Sequence, residues 1–319
     1  MDTSGGAVTR PEREWVNCPL CESDASDSLY RLRDYYTHQP GLFTLVRCLR
    51  CGLVYVNPRP TVEAIDAYYP STYESSAPLL LENLSWPRRW LVQYGLWKRC
   101  RPLLLRRPPG KVLDVGCGTG HFLAAIEKYG HWETVGIDRN PQAVTFAREA
   151  LNVEAHVGRI EENSFPDQAF DVVTMWDSLE HFHHPRRVLL EIRRILKPEG
   201  HLLLRVPSLD SLDARLFGPY WAGLDAPRHL TVFSRETVTR LLRKTGFVVE
   251  RVWCMSGSHA SFVISLRFLL EHRKQTGKLG RLLQGTIASP LGMVLSAPHF
   301  FVIDKLSLGP EVTFLARKR

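Results

Sequence analysis

The stretch Val112-Leu-Asp-Val-Gly-Cys-Gly-Thr-Gly-His-Phe122 leaves this chain few folds to choose from. The apolar residues around Asp114 predict a buried parallel strand, which breaks into glycines at Gly116, Gly118 and Gly120. Phe122, Leu123, Ile126 and Tyr129 then recur at helical spacing. Strand, glycine turn and helix N-terminus form the ligand-binding corner of a doubly wound α/β fold. Lacking Cβ atoms, the loop reaches φ > 0 and lets a ligand lie against its backbone. From Lys111 onward, strands are expected near 111–115, 133–137, 153–157, 170–175 and 200–206, with helices between them. That alternation makes a parallel sheet of βαβ units. A helix over 234–245, capped by Ser234 and stopped by Gly246, leads to a sixth strand at 247–253. The seventh strand arrives only at Val312-Thr-Phe-Leu-Ala316, so 255–310 is an insertion before it.

The second strand, Thr134-Val-Gly-Ile137, ends in Asp138. A carboxylate there can accept hydrogen bonds from both hydroxyls of a ribose, which suits a nicotinamide dinucleotide and S-adenosylmethionine alike. The glycine spacing separates the two. A dinucleotide loop reads G-x-G-x-x-G, whereas this one reads Asp114-Val-Gly-Cys-Gly-Thr-Gly120, with no G-x-x-G step. An acidic residue ahead of the loop favours a cationic sulfonium and disfavours a diphosphate.

Asp114-Val-Gly-Cys-Gly-Thr-Gly120, Gly136-Ile-Asp138, Phe170-Asp-Val-Val-Thr174 and Leu196-Lys-Pro-Glu-Gly200 stand in an order and spacing that resembles a class I S-adenosylmethionine-dependent methyltransferase. The resemblance covers roughly 108–252. It implies a Rossmann-like sheet of seven strands, with the glycine loop cradling the methionine part of the cofactor and the second-strand acid holding the ribose. The loop Gly158-Arg-Ile-Glu161 would flank the adenine. Carried over by position, it implicates Asp114, Gly116, Cys117, Gly118, Gly120, Asp138, Arg139, Arg159, Ile160 and Asp177 in cofactor binding. Many relatives have Asp where Arg159 stands, and arginine cannot accept a hydrogen bond from the adenine amino group.

Cys18-Pro-Leu-Cys21 and Cys48-Leu-Arg-Cys51-Gly52 are two knuckles at zinc-ribbon spacing. Each C-x-x-C turn aims two thiolates at one point, and four sulfur ligands close the site, which makes Zn²⁺ structural here. The expected organisation is therefore a zinc-ribbon module at 1–60, a helical linker at 61–107, the core at 108–254, the insertion at 255–310 and the last strand at 311–319. In the linker, Tyr68, Tyr69 and Tyr73 form an aromatic cluster and Trp86–Cys100 reads as an amphipathic helix. Some rRNA methyltransferases also carry an N-terminal zinc site. However, the second knuckle continues as Gly52-Leu-Val-Tyr-Val-Asn-Pro-Arg-Pro60, which resembles zinc-ribbon enzymes of small-molecule, sugar and quinone methylation. Met175-Trp-Asp-Ser-Leu179 also lacks the Asn/Asp-Pro-Pro-aromatic step of base N-methylation. The acceptor expected is a small molecule, sugar or lipid-linked intermediate, with nucleic acid second and a catalytically silent cofactor-binding scaffold third.

Net charge is +8, with the excess scattered in short clusters such as Arg88-Arg89 and Arg99 to Arg107, as on a solvated surface. Seven cysteines, four of them in the knuckles, suit a reducing compartment, and Met1–Glu14 has no apolar targeting stretch. A cytoplasmic protein is expected. In the insertion, a basic amphipathic helix is expected at Ser261–Arg281, followed by an uncharged run from Leu282 to Ile303. Pro290 and Pro298 break that run, leaving a lid over an apolar acceptor, an interfacial membrane anchor through 261–303, or a core-helix pair.

Methyl transfer to a hydroxyl needs an in-line acceptor and a home for its proton. Asp177-Ser-Leu-Glu-His181 resembles the acidic-x-x-Glu-His segment of ubiquinone-pathway O-methyltransferases, which implies Mg²⁺ on Asp177, Glu180 and His181 or His181 as base. Asp177 is one methylene shorter than the glutamate common there. A second candidate base, His229, lies in Trp221-Ala-Gly-Leu-Asp-Ala-Pro-Arg-His229-Leu, where Arg228 suits an anionic group on the acceptor. His183 and His184 are expected in a surface turn without a role.

Overall fold

The protein was analysed as a computed structural model, which describes residues 12–69, 83–106, 109–255, 258–273, 277, 285–287 and 289–319. Tyr73 and parts of the 255–310 insertion lie outside the described residues. The chain begins with short strands β1 (Arg13–Glu14), β2 (Ser26–Leu32), β3 (Phe43–Cys48), β4 (Val54–Val56) and β5 (Arg59–Pro60). Helix α1 (Trp86–Arg106) leads into β6 (Lys111–Val115), α2 (His121–Gly130), β7 (Glu133–Asp138), α3 (Pro141–Leu151), β8 (Ala155–Val157) and β9 (Phe170–Trp176). Next come α4 (Pro185–Ile195), β10 (Leu196–Pro207), α5 (Leu212–Phe217), β11 (Thr231–Val232), α6 (Arg235–Lys244) and β12 (Phe247–Cys254). The chain closes with α7 (Ser258–His272), α8 (Pro290–Lys305) and β13 (Glu311–Lys318).

Seven strands form one sheet in the order β12-β13-β10-β9-β6-β7-β8. Strands β10, β9, β6, β7 and β8 pair in parallel, while β13 runs antiparallel to both β10 and β12. Order reverses between β6 and β9, the switch point at which ligands bind in open α/β sheets. Alternation along each strand fills both faces. Val112 packs with Phe122, Leu123 and Ile126 of α2 and Val144 of α3, while its neighbour Leu113 packs on the face covered by Val188, Leu189 and Ile192 of α4. Each such fully buried aliphatic side chain stabilises by roughly 1.5–3 kcal/mol relative to exposure.

The ribbon does not close on itself. Its four-stranded sheet has the order β11-β4-β3-β2, and the edge strand β11 comes from beyond the fifth core strand, with Thr231 opposite Tyr55 and Val232 opposite Val54. Phe43, Leu45, Val54 and Val56 of the ribbon share one cluster with Trp221, Leu224 and Val232. Some elements run past their expected ends. Strand β10 starts at Leu196, which pairs with Phe170, and Lys197–Gly200 bulges before pairing resumes at His201 opposite Val172. Helix α1 continues through Pro102, since Cys100 and Leu103 are anchored in the core and one missing N–H does not outweigh that packing. Likewise α8 passes through Pro298, with Phe300 and Ile303 buried beyond it. Helix α7 starts at Ser258 and ends at His272, short of Arg281.

Candidate active site

A cavity of about 1210 Å³ opens at the C-terminal ends of β6, β7, β8 and β9, lined by Asp114, Gly116, Cys117, Gly118, Asp138, Arg139, Arg159, Ile160, Asp177 and His181. The glycine loop is held to β7 by the Gly116 and Cys117 amides, which donate to the Ile137 carbonyl at 2.8 and 3.1 Å. Gly118 has φ +51, with open space where its Cβ would stand, so the bare backbone faces the cavity. Gly120 has φ +77, and a Cβ there would come within 2.9 Å of the Ala147 Cβ, so the third glycine lets α2 pack on α3. Cys117 offers backbone only: its Sγ packs where a Gly136 Cβ would stand, 2.7 Å away.

Asp138 accepts from the Gly118 amide (2.8 Å) through Oδ2 and from the Asn140 amide (2.8 Å) through Oδ1. Asn140 in turn caps α3, accepting from the Gln142 and Ala143 amides. Asp114 is buried and accepts from the Thr174 hydroxyl at 2.6 Å. Burial pushes its carboxyl up to about 7, against the pull of the Thr174 hydrogen bond and of Arg99. Arg139 pairs with Asp66 and lies 4.8 Å from the Tyr69 ring centre, while Arg159 reaches the Val62 carbonyl at 3.5 Å. Through these contacts the linker covers one side of the cavity, with Val62, Asp66 and Tyr69 in its wall.

The sequence family described as "Methyltransferase domain" matches residues 92–252, half of the chain. The chain belongs to this methyltransferase family. Among its relatives is a "Probable S-adenosylmethionine-dependent methyltransferase" of Mycolicibacterium smegmatis, 29% identical over 59% of this chain and 68% of that one. A demethylmenaquinone methyltransferase of Thermotoga maritima is 36% identical over 36% of this chain and 52% of that one. The chain thus spans between 41% and 68% of the first curated relatives. The [4+2]-cyclase SpnF shares the fold, with a TM-score of 0.52 at 20% identity over 82% of this chain and 97% of that one.

The 3-10 turn Leu179–His181 after β9 carries the polar end of the cavity. His181 Nδ1 lies 3.0 Å from the Arg228 carbonyl and 2.9 Å from the Tyr69 hydroxyl. A carbonyl can only accept, so Nδ1 carries the hydrogen and Nε2 keeps its lone pair. Burial, then the neighbouring His229, pushes this imidazole down to about 3, so it is neutral near pH 7. His229 stands behind His181, ring centres 4.7 Å apart, and is not among the residues lining the cavity. Its Nδ1 donates to the Gly223 carbonyl at 2.9 Å.

The ligand set implied for Mg²⁺ is not assembled. Asp177 is bound by Arg205 through both oxygens, whereas the groups that converge are Glu180, His181 and His229, whose ligand atoms lie within 4.8 Å of one another. Glu180 is fully buried with neither oxygen hydrogen-bonded, and burial together with the Asp177 charge holds its carboxyl well above the usual range. Two imidazoles and one carboxylate suit a zinc-class ion better than Mg²⁺, which prefers oxygen.

Two other expectations are corrected. Arg228 cannot meet an acceptor: it is fully buried, donating to Asp34, Asp225, Thr37 and the Tyr68 carbonyl. His183 is no surface residue, since it is buried with Nε2 3.1 Å from the Pro60 carbonyl. At the ribbon, the Cys18–Cys51 and Cys21–Cys48 sulfurs are 3.4 and 3.5 Å apart, and all four lie within 4.8 Å of one another. Zn–S bonds of about 2.3 Å place tetrahedral sulfurs close to that spacing, so the four thiolates fit Zn²⁺. Sequence reasoning gave no role to Tyr69, Arg99 or Arg205. Arg99 reaches the cavity from α1, with its guanidinium 5.6 Å from the Trp176 ring centre, and burial and the Arg205 charge push it down to about 10. The spacing of Val92, Leu96 and Arg99 along one helix face was the signal available for it.

Proposed function

We propose that this chain transfers a methyl group from S-adenosylmethionine to a hydroxyl of a small-molecule, sugar or lipid-linked acceptor. One observation carries the reading: the glycine loop, Asp138 and His181 share a single cavity at the strand tips. Since a cyclase shares this fold, the sheet alone does not fix the chemistry and the site must.

The Asp138 carboxylate, oriented by the Gly118 and Asn140 amides, faces the cavity and is placed to accept from a ribose hydroxyl. Gly118 leaves room for a ligand against its backbone, and Ile160 offers an apolar wall for a base. Asp114 supplies negative charge beside the loop, and a nearby cation would hold it ionised near neutral pH. The desolvated guanidinium of Arg99 suits the donor's carboxylate. When bound, the donor supplies an electrophilic methyl on a positively charged sulfur. His181 Nε2 accepts the acceptor's hydroxyl hydrogen and so aims its oxygen. As the carbon–oxygen bond forms at the expense of the carbon–sulfur bond, the hydroxyl proton passes to Nε2.

The test is mass spectrometry of cell extract incubated with the full-length protein and methyl-labelled donor. Label in a low-molecular-weight product, with one equivalent of S-adenosylhomocysteine released, is the expected result. Label confined to RNA, or donor bound with no product above background, would overturn it.

A further inference from the structure

We propose that the outer face of α1, with the neighbouring face of α8, is a docking surface for an anionic phospholipid bilayer, so that the acceptor is a membrane-resident amphiphile. The proposal deepens the methyltransferase reading and rests on it for the acceptor alone. Trp86, Trp90, Tyr94, Trp97 and Leu105 recur every three, four or eight residues along α1 and are exposed, Trp86 by 79% and Trp90 by 54%. At 21 residues the helix is about 30 Å long, so this is a continuous stripe and not a scatter of single side chains. Its rings form a ladder: Trp90 and Tyr94 are parallel within 1° at 5.4 Å, and Tyr94 and Trp97 stack at 6.1 Å. Lys98 lies over Tyr94 and Arg101 over Trp97.

Trp and Tyr flanked by Lys and Arg is the composition that sits at the boundary between headgroups and acyl chains. Helix α8 also exposes Val294, Leu295 and Phe301, and Lys305 lies over Phe301. Lys98 of α1 is near enough to Asp304 of α8 to sense its charge, so the two helices are neighbours.

Charge selects the occupant. The outer face of α1 exposes Arg89 and Arg101, and the helix has not one acidic residue, so a second copy laid against it would set cation against cation. Anionic headgroups complement it instead. No helix among the described residues is long and apolar enough to cross a membrane, so the contact is peripheral. The opposite face of α1 explains the purpose: Val92, Leu96 and Arg99 line the cavity, so one helix touches both the bilayer and the reaction site.

The test is flotation of the full-length protein with vesicles of phosphatidylcholine alone or mixed with phosphatidylglycerol. A triple variant, Trp90→Ser, Trp97→Ser and Arg101→Glu, changes residues outside the cavity wall. Wild-type protein should float with the anionic vesicles only, and the variant should bind them roughly tenfold more weakly, with donor binding by calorimetry unchanged. Failure of wild type to float, equal binding by the variant, or a wild-type dimer that the variant dissolves would each overturn the proposal. Loss of donor binding in the wild type would instead strike the methyltransferase reading, whatever the vesicles show.

Discussion

Replacing His181 with alanine is expected to slow turnover about a hundredfold while leaving donor binding intact, the low end of what a positioned proton acceptor contributes. The low end applies because burial has pushed this imidazole down to about 3, making it a weak base whose main work is to hold the acceptor oxygen in line. The same depression shapes the pH profile. An ordinary histidine loses about tenfold in its neutral form for each pH unit below 6.5, whereas this one stays neutral, so with donor saturating and Asp114 held ionised by it, turnover should show no histidine-like fall from about pH 8 to about pH 5. Stability carries the opposite sign to a raised histidine. The folded state prefers the neutral ring, so that contribution is complete above 6.5 and is lost as pH falls from there towards about 3. Steady-state kinetics against pH, with calorimetry on the variant, checks both points. Turnover within about threefold of wild type would remove His181 from the reaction.

Arg228→Met should cost about 3–5 kcal/mol of stability, a large fraction of what holds a domain of this kind together. The guanidinium donates to Asp34 at 2.6 and 2.8 Å, to Asp225 at 2.6 Å and to the Tyr68 carbonyl at 2.9 Å, so one side chain ties the ribbon and the linker to the segment between β10 and α6. Burial alone would raise the Asp34 carboxyl, and hydrogen bonds from Arg228 and Thr37 more than offset it, holding the group below its ordinary value. Without the cation, two buried carboxylates lose their partner and must either ionise unpaired or take up protons. The Arg228 carbonyl also orients His181, so activity should fall as the segment loosens. Urea denaturation of wild type and variant measures the cost. A loss below about 1 kcal/mol would mean that the network contributes no more than an exposed ion pair.

Much of the core was legible because its signals are local. The Asp114–Gly120 loop, Asp138 and the 3.6 and 2.0 periodicities report backbone requirements that neighbours in sequence satisfy together. The knuckles were legible for the same reason, since each C-x-x-C turn is complete within four residues. What the sequence did not disclose depends on long-range pairing. Arg228 looked like an anion binder until Asp34, 194 residues away, occupied it. Asp177 looked like a metal ligand until Arg205 on the adjacent strand took both of its oxygens. That β11 completes the ribbon sheet is likewise invisible in a two-residue strand, whose identity comes only from Tyr55 and Val54 opposite it. Pro298 misled through a local rule that tertiary packing overrides.

Titration calorimetry of zinc-loaded protein with S-adenosylmethionine and with S-adenosylhomocysteine examines the cavity at the strand tips most directly. Both ligands should bind one per chain, and Asp138→Ala should weaken both through loss of the ribose hydroxyl contacts. Absence of heat with either, alongside clear uptake of a nicotinamide or flavin dinucleotide, would contradict the assignment.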